Sequence, residues 1–194
     1  MAVELGYGVE YCMTQVLKTL NTSNKPIVGL VRGGAVGIGF TTTAHFDFIY
    51  CSPNAFFSVP FMSSFQSPEG GSTYLFPKQI GIRKANEVLL LDRPLTAKEA
   101  VQCGYANGII EGLDETDWPD INKIPTITKL LATDYKTLVN AKSLMNKAKD
   151  NETINQVIHS EAKALADTWL DDGFNAKLAA YMKGLKDKKR RAKL

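Results

Sequence analysis

Two features of this sequence could do chemistry together: a glycine-rich segment at Gly33–Gly39 and a single carboxylate at Glu69. The segment reads GGAVGIG, follows the apolar strand predicted at Ile27–Val31, and precedes a predicted helix. Glycines ahead of a helix leave backbone N–H groups exposed to whatever binds there. A carboxylate among apolar residues can have a pKa near neutrality, which suits proton transfer. The pair therefore suggests oxyanion stabilisation combined with the movement of a proton.

Both features also have structural interpretations that the residues alone leave open. The glycines could allow close packing at a helix start, and a dinucleotide fingerprint beginning at Gly37 would need a glycine where Thr42 stands. Glu69 could lie in the first turn of a helix, with Ser67 as the N-cap and Pro68 at the first helical position. That helix start would lower the pKa of Glu69, whereas desolvation by aromatic neighbours would raise it.

Composition and charge limit the classes of function. The chain has 194 residues, of which 44% are hydrophobic, and a formal net charge of +3. This length supports one full core with a smaller appendage. The net charge is too small to indicate a nucleic-acid partner by itself. Between Lys183 and Leu194, seven Lys and Arg residues accompany one acid, Asp187. Such a run is typical of a solvated helix end, with a nucleic-acid patch or a nuclear signal as the alternative.

The cysteines, histidines and hydropathy argue against several other classes. Cys12, Cys51 and Cys103 are far apart and form no CxxC pair, which favours free thiols in a reducing compartment. His45 and His159 do not cluster with them, so no metal site is expected. No window reaches the roughly eighteen apolar residues that a membrane span needs. Acids also interrupt the one apolar run near the N-terminus, which argues against a secretory signal.

The pattern along the chain predicts an α/β core over residues 1–112 and a helical region with a basic tail over residues 113–194. Alternating strands and helices in the core favour a largely parallel, helix-covered sheet. The strands are predicted at about 27–31, 46–51, 55–59 and 106–111, and the helices at about 8–20, 68–79, 82–91 and 96–104. Beyond the core, helices are predicted at about 126–149, 152–170 and 174–187, with apolar faces buried between subunits.

Three blocks of the sequence resemble the crotonase (enoyl-CoA hydratase/isomerase) superfamily, and within it the peroxisomal Δ3,Δ2-enoyl-CoA isomerases. They read KPIVGLVRGGAVGIGF, SPEGGSTYLFPKQIG and LTAKEAVQCGYANGII, and the likeness covers the chain from about residue 8. The resemblance implies a crotonase-like spiral of ββα units, here partial, with a C-terminal helical oligomerisation region. It also implies an acyl-CoA substrate, no cofactor beyond the coenzyme A of that substrate, and homotrimers that can pair into hexamers.

The resemblance further implies roles for particular residues. It places an oxyanion-hole donor at the backbone N–H of Ile38 and the catalytic base at Glu69. Isomerisation needs one base, which takes a proton from C2 of the acyl chain and returns it at C4. The hydratases of the superfamily use two glutamates, and Thr41 and Phe61 stand at the matching positions, which argues against hydration. The implied substrate pocket contains Gly37, Phe61, Phe65 and Gly70.

Compared with the family it resembles, this chain is expected to lack roughly the N-terminal third of the fold. That part carries the first strands, much of the coenzyme A surface and the loop with the other oxyanion donor. Two classes of function follow. One is an enoyl-CoA isomerase of fatty-acid and lipid metabolism that acts through Glu69 and Ile38. The other is a non-catalytic crotonase-like module that binds acyl-CoA weakly or serves in assembly, as crotonase-like domains of chromatin corepressors do.

The last three residues, Ala192, Lys193 and Leu194, are a close variant of the Ser-Lys-Leu peroxisomal address. Together with the resemblance to enzymes of fatty-acyl-CoA metabolism, they predict binding to the peroxisomal import receptor and localisation in the peroxisome. A tag that masks the carboxyl terminus should therefore move the protein to the cytosol, which fluorescence microscopy would show. Unchanged punctate localisation after masking would mean that the tripeptide is not the signal.

Overall fold

The computed structural model describes residues 2–113 and 120–191 and contains two three-stranded sheets. The first part comprises α1 (Ala2–Thr22), β1 (Val28–Val31), β2 (Gly34–Val36), α2 (Ile38–Thr43), β3 (Phe48–Cys51), β4 (Phe56–Ser58), α3 (Ser72–Ile80), α4 (Ile82–Leu91), β5 (Leu95–Thr96), α5 (Ala97–Gln102) and β6 (Gly108–Ile109). A 3₁₀ turn (Ile121–Lys123) then precedes α6 (Pro125–Leu131), α7 (Tyr135–Ala148), α8 (Asn151–Leu170) and α9 (Phe174–Arg191). The predicted address at Ala192, Lys193 and Leu194 lies outside the described residues.

The sheets place two ββα units side by side. In the first sheet β1 pairs in parallel with β3, which pairs in parallel with β6. In the second sheet β2 pairs in parallel with β4, which pairs antiparallel with β5. Each strand of the unit β1–β2–α2 thus pairs with the corresponding strand of the unit β3–β4–α3, as in a spiral of ββα units. The predicted α/β class with repeated ββα units is confirmed, and the chain divides its strands between two sheets.

Strand β2 corrects the predicted turn over Gly33–Gly39. Gly34 and the two residues after it pair in parallel with β4, so the turn does not extend through them. A Cβ on Gly34 would lie only 2.6 Å from the ring of Phe56, so the close approach of this ring needs glycine. The chain then turns at Gly37, which has φ 58° and is the residue immediately before α2.

Two predicted helix boundaries are also wrong. The helix expected at 68–79 begins at Ser72, because Gly70 and Gly71 have φ values of 78° and 76°, which an α-helix cannot contain. The helix expected at 126–149 is divided into α6 and α7. Asp134 accepts a hydrogen bond from the Thr137 N–H at 2.9 Å and thereby caps the start of α7.

Four buried aromatic rings form the centre of the core and fix the position of α2. Phe40 of α2 has its ring centroid 4.7 Å from that of Phe76 in α3 and 5.0 Å from that of Tyr105. Phe57 of β4 lies 5.4 Å from Phe40. The Tyr105 hydroxyl donates to the Phe40 carbonyl at 3.1 Å, so the polar group in this cluster is satisfied. These contacts join α2, α3 and β4 rigidly around the loop that carries Glu69.

The C-terminal helices pack on the first part of the chain. Helix α8 lies along α1 and against α3. Ile154, Ile158 and Leu165 of α8 are buried within the chain itself, so their expected burial between subunits is wrong. Leu131 of α6 and Leu144 of α7 are exposed. Assembly into trimers or hexamers, and the division at residue 112, stay predictions.

A polar contact ties α7 to the start of β1. Lys142 of α7 forms a buried ion pair with Asp47. The other carboxylate oxygen of Asp47 accepts from the Ile27 N–H at 2.9 Å. The Asn146 amide donates to the Ser23 carbonyl at 2.7 Å. Burying Lys142 and Asp47 is acceptable because each charge has its partner.

Phe40→Ala should lower the free energy of unfolding by about 3–5 kcal/mol, because it leaves a cavity among three rings. Leu131→Ala is the matched control, since its side chain is 69% exposed, and it should change that free energy by no more than about 0.5 kcal/mol. Urea denaturation of the two variants and the unchanged chain measures both effects. Equal effects at the two positions would contradict this description of the core.

Candidate active site

Glu69 lies in the loop between β4 and α3, with 4% of its surface exposed. Its Oε1 accepts a hydrogen bond from the Thr41 hydroxyl at 2.7 Å. Its Oε2 has no hydrogen-bond partner among the described residues. A buried carboxylate that accepts a single hydrogen bond is poorly stabilised as an anion. The side chain is therefore placed to hold a proton and to release it.

Burial raises the pKa of Glu69 from 4.5 to about 7. Desolvation is the largest cause, the hydrogen bond from Thr41 lowers the pKa, and the negative charge of Glu161 raises it. The sequence left open whether the helix start or desolvation would prevail, and in the structure desolvation prevails. A carboxyl group with a pKa near neutrality can both accept and donate a proton at physiological pH.

The helix-start interpretation of Glu69 is wrong. The N-cap of α3 is Gly71 rather than Ser67, and the helix begins at Ser72. Glu69 therefore precedes the cap and lies outside the first turn, where the helix dipole acts most strongly. The two glycines that follow Glu69 turn the backbone so that its side chain points to Thr41 on α2.

The glycine-rich segment leads into the N-terminus of α2. The N–H of Gly37 donates to the Ser58 carbonyl of β4 at 2.8 Å, and the Gly37 carbonyl accepts from the N–H of Phe40 at 2.8 Å. Ile38 is the first residue of α2, where a backbone N–H has no acceptor within the helix. A Cβ on Gly39, the next residue of α2, would meet no described atom within 4 Å apart from its chain neighbours and the backbone of its own helix, so there is open space beside Gly39.

Thr41 connects this helix start to Glu69. Its Oγ1 lies 3.4 Å from the Ile38 carbonyl and 2.7 Å from Glu69 Oε1. Ile38 and Thr41 are three residues apart, which corresponds to a rise of about 4.5 Å along an α-helix. The predicted base and the predicted backbone donor are therefore connected through Thr41, three residues into the helix that begins at Ile38. Such an arrangement can bind an oxyanion and move a proton beside it.

The predicted pocket residues lie in different surroundings. Gly70 packs directly on Thr41, since a Cβ at this glycine would come within 2.6 Å of the threonine side chain. Phe61 is buried in the hydrophobic core. Phe65 is 48% exposed and lines a cavity of about 360 Å³ with residues of α8 and Phe174 of α9. The structure thus brings Gly70 to the Glu69 side chain and turns Phe65 toward α8 and α9. Their contact with a substrate stays a prediction.

Sequence reasoning missed two side chains that hold the loop of Glu69. His45 donates from Nε2 to the Gly70 carbonyl at 2.8 Å, and burial lowers its pKa, which keeps the imidazole neutral. Glu161 of α8 accepts a hydrogen bond from the Gly71 N–H at 2.6 Å. These partners lie 25 and 90 residues apart in the sequence, so no local motif could have revealed them.

The described part of the chain shows neither a metal cluster nor a membrane helix. Among residues 2–113 and 120–191, no three His, Cys, Asp or Glu side chains are grouped so that they could hold a metal ion. None of the helices in these ranges is long and apolar enough to cross a membrane.

Comparison with known proteins identifies the family. The model of the enoyl-CoA hydratase/isomerase family matches residues 9–189. A putative enoyl-CoA hydratase/isomerase from Acinetobacter baumannii superposes with a TM-score of 0.71 at 29% sequence identity, over 84% of this chain and 66% of that one. The chain belongs to the enoyl-CoA hydratase/isomerase family.

The curated relatives include two enoyl-CoA delta isomerases and chromodomain Y-like protein. The chain is 37% identical over 150 residues to enoyl-CoA delta isomerase 2 of Rattus norvegicus, covering 76% of this chain and 37% of that protein. It is 46% identical over 86 residues to peroxisomal enoyl-CoA delta isomerase 3 of Mus musculus, covering 44% and 26%. It is 34% identical over 141 residues to chromodomain Y-like protein of Homo sapiens, covering 73% and 19%. The chain thus spans less than two fifths of the length of each of these relatives.

Glu69→Gln should remove much of the dependence of stability on pH. Because folding raises the pKa of Glu69 to about 7, the unfolded chain loses this proton first, and stability falls as the pH rises from about 4.5 to about 7. Each unit of raised pKa corresponds to about 1.4 kcal/mol, so across this window the variant should gain up to about 3 kcal/mol relative to the unchanged chain. Urea denaturation at pH 4 and pH 8 measures the difference.

Glu152→Gln serves as the control for this prediction. Glu152 is an exposed carboxylate on α8, so its replacement makes the same chemical change without a buried acid. We expect it to keep the pH dependence of the unchanged chain. If Glu69→Gln and Glu152→Gln show the same pH dependence, Glu69 does not ionise near neutrality.

Proposed function

We propose that this chain carries the catalytic site of an enoyl-CoA isomerase, which moves the double bond of a 3-enoyl-CoA to the trans-2 position in fatty-acid β-oxidation. The observation that carries this proposal is the buried carboxyl group of Glu69, which has a pKa of about 7 and is hydrogen-bonded to Thr41, three residues after the start of α2 at Ile38. The base moves the proton, and the Ile38 N–H is one of the donors that stabilise the oxyanion. Sequence similarity to two enoyl-CoA delta isomerases supports the same conclusion.

The reaction follows from these groups. The Ile38 N–H donates a hydrogen bond to the thioester oxygen of the substrate and stabilises the negative charge that develops there. Ionised Glu69 takes a proton from C2, which gives a dienolate, and the same carboxyl group returns that proton to C4. Because Thr41 holds Oε1, we assign the proton transfer to Oε2, the oxygen without a partner among the described residues.

The same geometry supports isomerisation over hydration. Hydration needs a second acid or base to activate and deliver water. Thr41 and Phe61 stand where the resemblance to hydratases implies glutamates. In the structure, the Thr41 hydroxyl is hydrogen-bonded to Glu69 and the Phe61 ring is buried in the core. Both oxygens of the nearby Glu161 carboxylate already accept hydrogen bonds, from Gly71 and Thr73.

The proposal also covers the substrate, the oligomeric state and the localisation of the enzyme. The substrate is an acyl-CoA, coenzyme A enters only as part of that substrate, and the active protein is a homotrimer or hexamer. Localisation in the peroxisome is supported by similarity to a peroxisomal isomerase of Mus musculus. Because the chain spans less than two fifths of each curated relative reported above, the activity of the whole protein is part of the proposal.

A second candidate is a non-catalytic module that binds acyl-CoA weakly or serves in assembly. It is favoured by the similarity to chromodomain Y-like protein, which extends over 73% of this chain at 34% identity. The two candidates differ in one measurable property. The isomerase converts 3-hexenoyl-CoA to trans-2-hexenoyl-CoA, whereas the module binds acyl-CoA or assembles without turnover.

Glu69→Gln should lower the turnover of 3-hexenoyl-CoA by about 10²–10⁴-fold, the range typical of a positioned general base. The amide keeps the size of the side chain, so binding of hexanoyl-CoA should be retained. In the unchanged chain kcat/KM should rise with pH through about 7, because the base must lose its proton before it can act. Absorbance of the conjugated thioester follows the reaction, and isothermal titration calorimetry measures binding.

Glu152→Gln, on the exposed face of α8, is the control and should keep the turnover of the unchanged chain. Near-normal isomerisation by Glu69→Gln would show that the base is elsewhere. Binding of hexanoyl-CoA without turnover by the unchanged chain would favour the non-catalytic module.

A further inference from the structure

The peptide unit between Gly70 and Gly71 is held at both ends by side chains from distant parts of the chain. Its carbonyl accepts from His45 Nε2 at 2.8 Å, and its N–H donates to Glu161 Oε2 at 2.6 Å. Glu69 is the residue immediately before this unit. The two contacts therefore fix the backbone from which the Glu69 side chain extends.

Glu161 also caps α3 from a distance. Its Oε1 accepts from the N–H of Thr73 at 2.9 Å and from the hydroxyl of Thr73 at 2.5 Å. Helix α3 has no side-chain cap from its own N-cap residue, Gly71. A carboxylate from α8 thus satisfies N–H groups that the first turn of α3 would otherwise leave without partners. Only 8% of the Glu161 surface is exposed, so water cannot readily replace it.

Glu69 and Glu161 are two buried carboxyl groups with different surroundings. Glu161 accepts hydrogen bonds from three donors, whereas Glu69 accepts one and keeps Oε2 without a partner among the described residues. Burial raises the pKa of both groups, but the bonds from Thr73 and Gly71 lower that of Glu161. Hydrogen bonds to a carboxylate favour its charged form, so Glu161, with three donors, is the more readily ionised of the two groups.

We propose that Glu161 is a positioning residue for Glu69: it fixes the Gly70–Gly71 peptide through hydrogen bonds, and its negative charge disfavours a second charge on Glu69. Glu161 acts on the reaction only through Glu69. The catalytic consequence rests on the proposed isomerase function. The effects on the backbone and on the ionisation of Glu69 do not require turnover.

The other groups described around Glu69 do not place a negative charge beside it as Glu161 does. From α2, Thr41 donates a hydrogen bond that favours the ionised carboxylate. His45 faces Gly70, and burial together with the charge of Lys149 lowers its pKa, so it stays neutral. From α8, Glu161 contributes the like charge that raises the pKa of Glu69.

Carboxyl ¹³C NMR of chain labelled at glutamate tests the electrostatic part, with the Glu69 resonance assigned by its loss in Glu69→Gln. The unchanged chain should show half-protonation of Glu69 near pH 7. Glu161→Gln should bring this midpoint below that of the unchanged chain, because it removes the like charge. Glu152→Gln, which removes an exposed charge from the same helix, should leave the midpoint where it was. An unmoved midpoint in folded Glu161→Gln would overturn the proposal.

Thr73→Val separates the hydrogen bonds from the charge. It removes the hydroxyl that donates to Glu161 and leaves the Glu161 carboxylate in place, so the midpoint of Glu69 should not fall. Amide hydrogen exchange at Gly71 should quicken about tenfold or more in Glu161→Gln, since the substitution removes the charge and replaces one of the two acceptor oxygens by an NH₂ group that cannot accept. Unchanged exchange at Gly71 would overturn the positioning role.

Glu161→Asp keeps the test decisive if Glu161→Gln does not fold. The shorter side chain of Glu161→Asp keeps the charge, so the protonation midpoint of Glu69 should stay near that of the unchanged chain. Exchange of the Gly71 amide should still quicken. If exchange at Gly71 does not change, the proposal fails. In an active chain, Glu161→Gln should also move the acidic limb of kcat/KM to lower pH. An inactive chain with the expected NMR and exchange results would contradict the isomerase function and leave the positioning role supported.

Discussion

The hydrogen bond between the Thr41 hydroxyl and Glu69 Oε1 is the contact on which the rest of the site depends. It joins the helix that begins at Ile38 to the loop that carries the acid, and it is the single hydrogen bond that buried Glu69 accepts from the described residues. One such bond fixes the direction of a carboxyl group without stabilising its charge fully. The result is an oriented acid whose pKa lies at about 7.

The fold maintains this contact through groups on both sides. Phe40 anchors α2 in the aromatic cluster one residue before Thr41, and Gly70 allows the loop to touch Thr41 because it has no Cβ. Helix α8 closes the other side, where Glu161 holds the start of α3. The C-terminal helices therefore complete the environment of the candidate base, as well as covering the core.

Features with local sequence signals could be predicted. The helix predicted from about residue 96 begins after the capping box of Thr96 and Glu99, and the strand pattern together with the family resemblance predicted the ββα units. The three-residue strand β2 was missed because so short a segment has no periodicity. The partnership of Gly71 with Glu161 was missed because it joins residues 90 positions apart, and only the packing of α8 on α3 creates it. The pKa of Glu69 needed the structure for the same reason, since it depends on burial.

The central claim is that one buried carboxyl group carries the proton from C2 to C4. It is tested most directly by following deuterium from 3-hexenoyl-CoA labelled at C2 through a single turnover in ordinary water, with NMR of the trans-2-hexenoyl-CoA product. Because Glu69 is 4% exposed, the account predicts that a substantial share of the removed deuterium appears at C4. A product formed at the normal rate with no deuterium at C4 would contradict transfer by this buried acid.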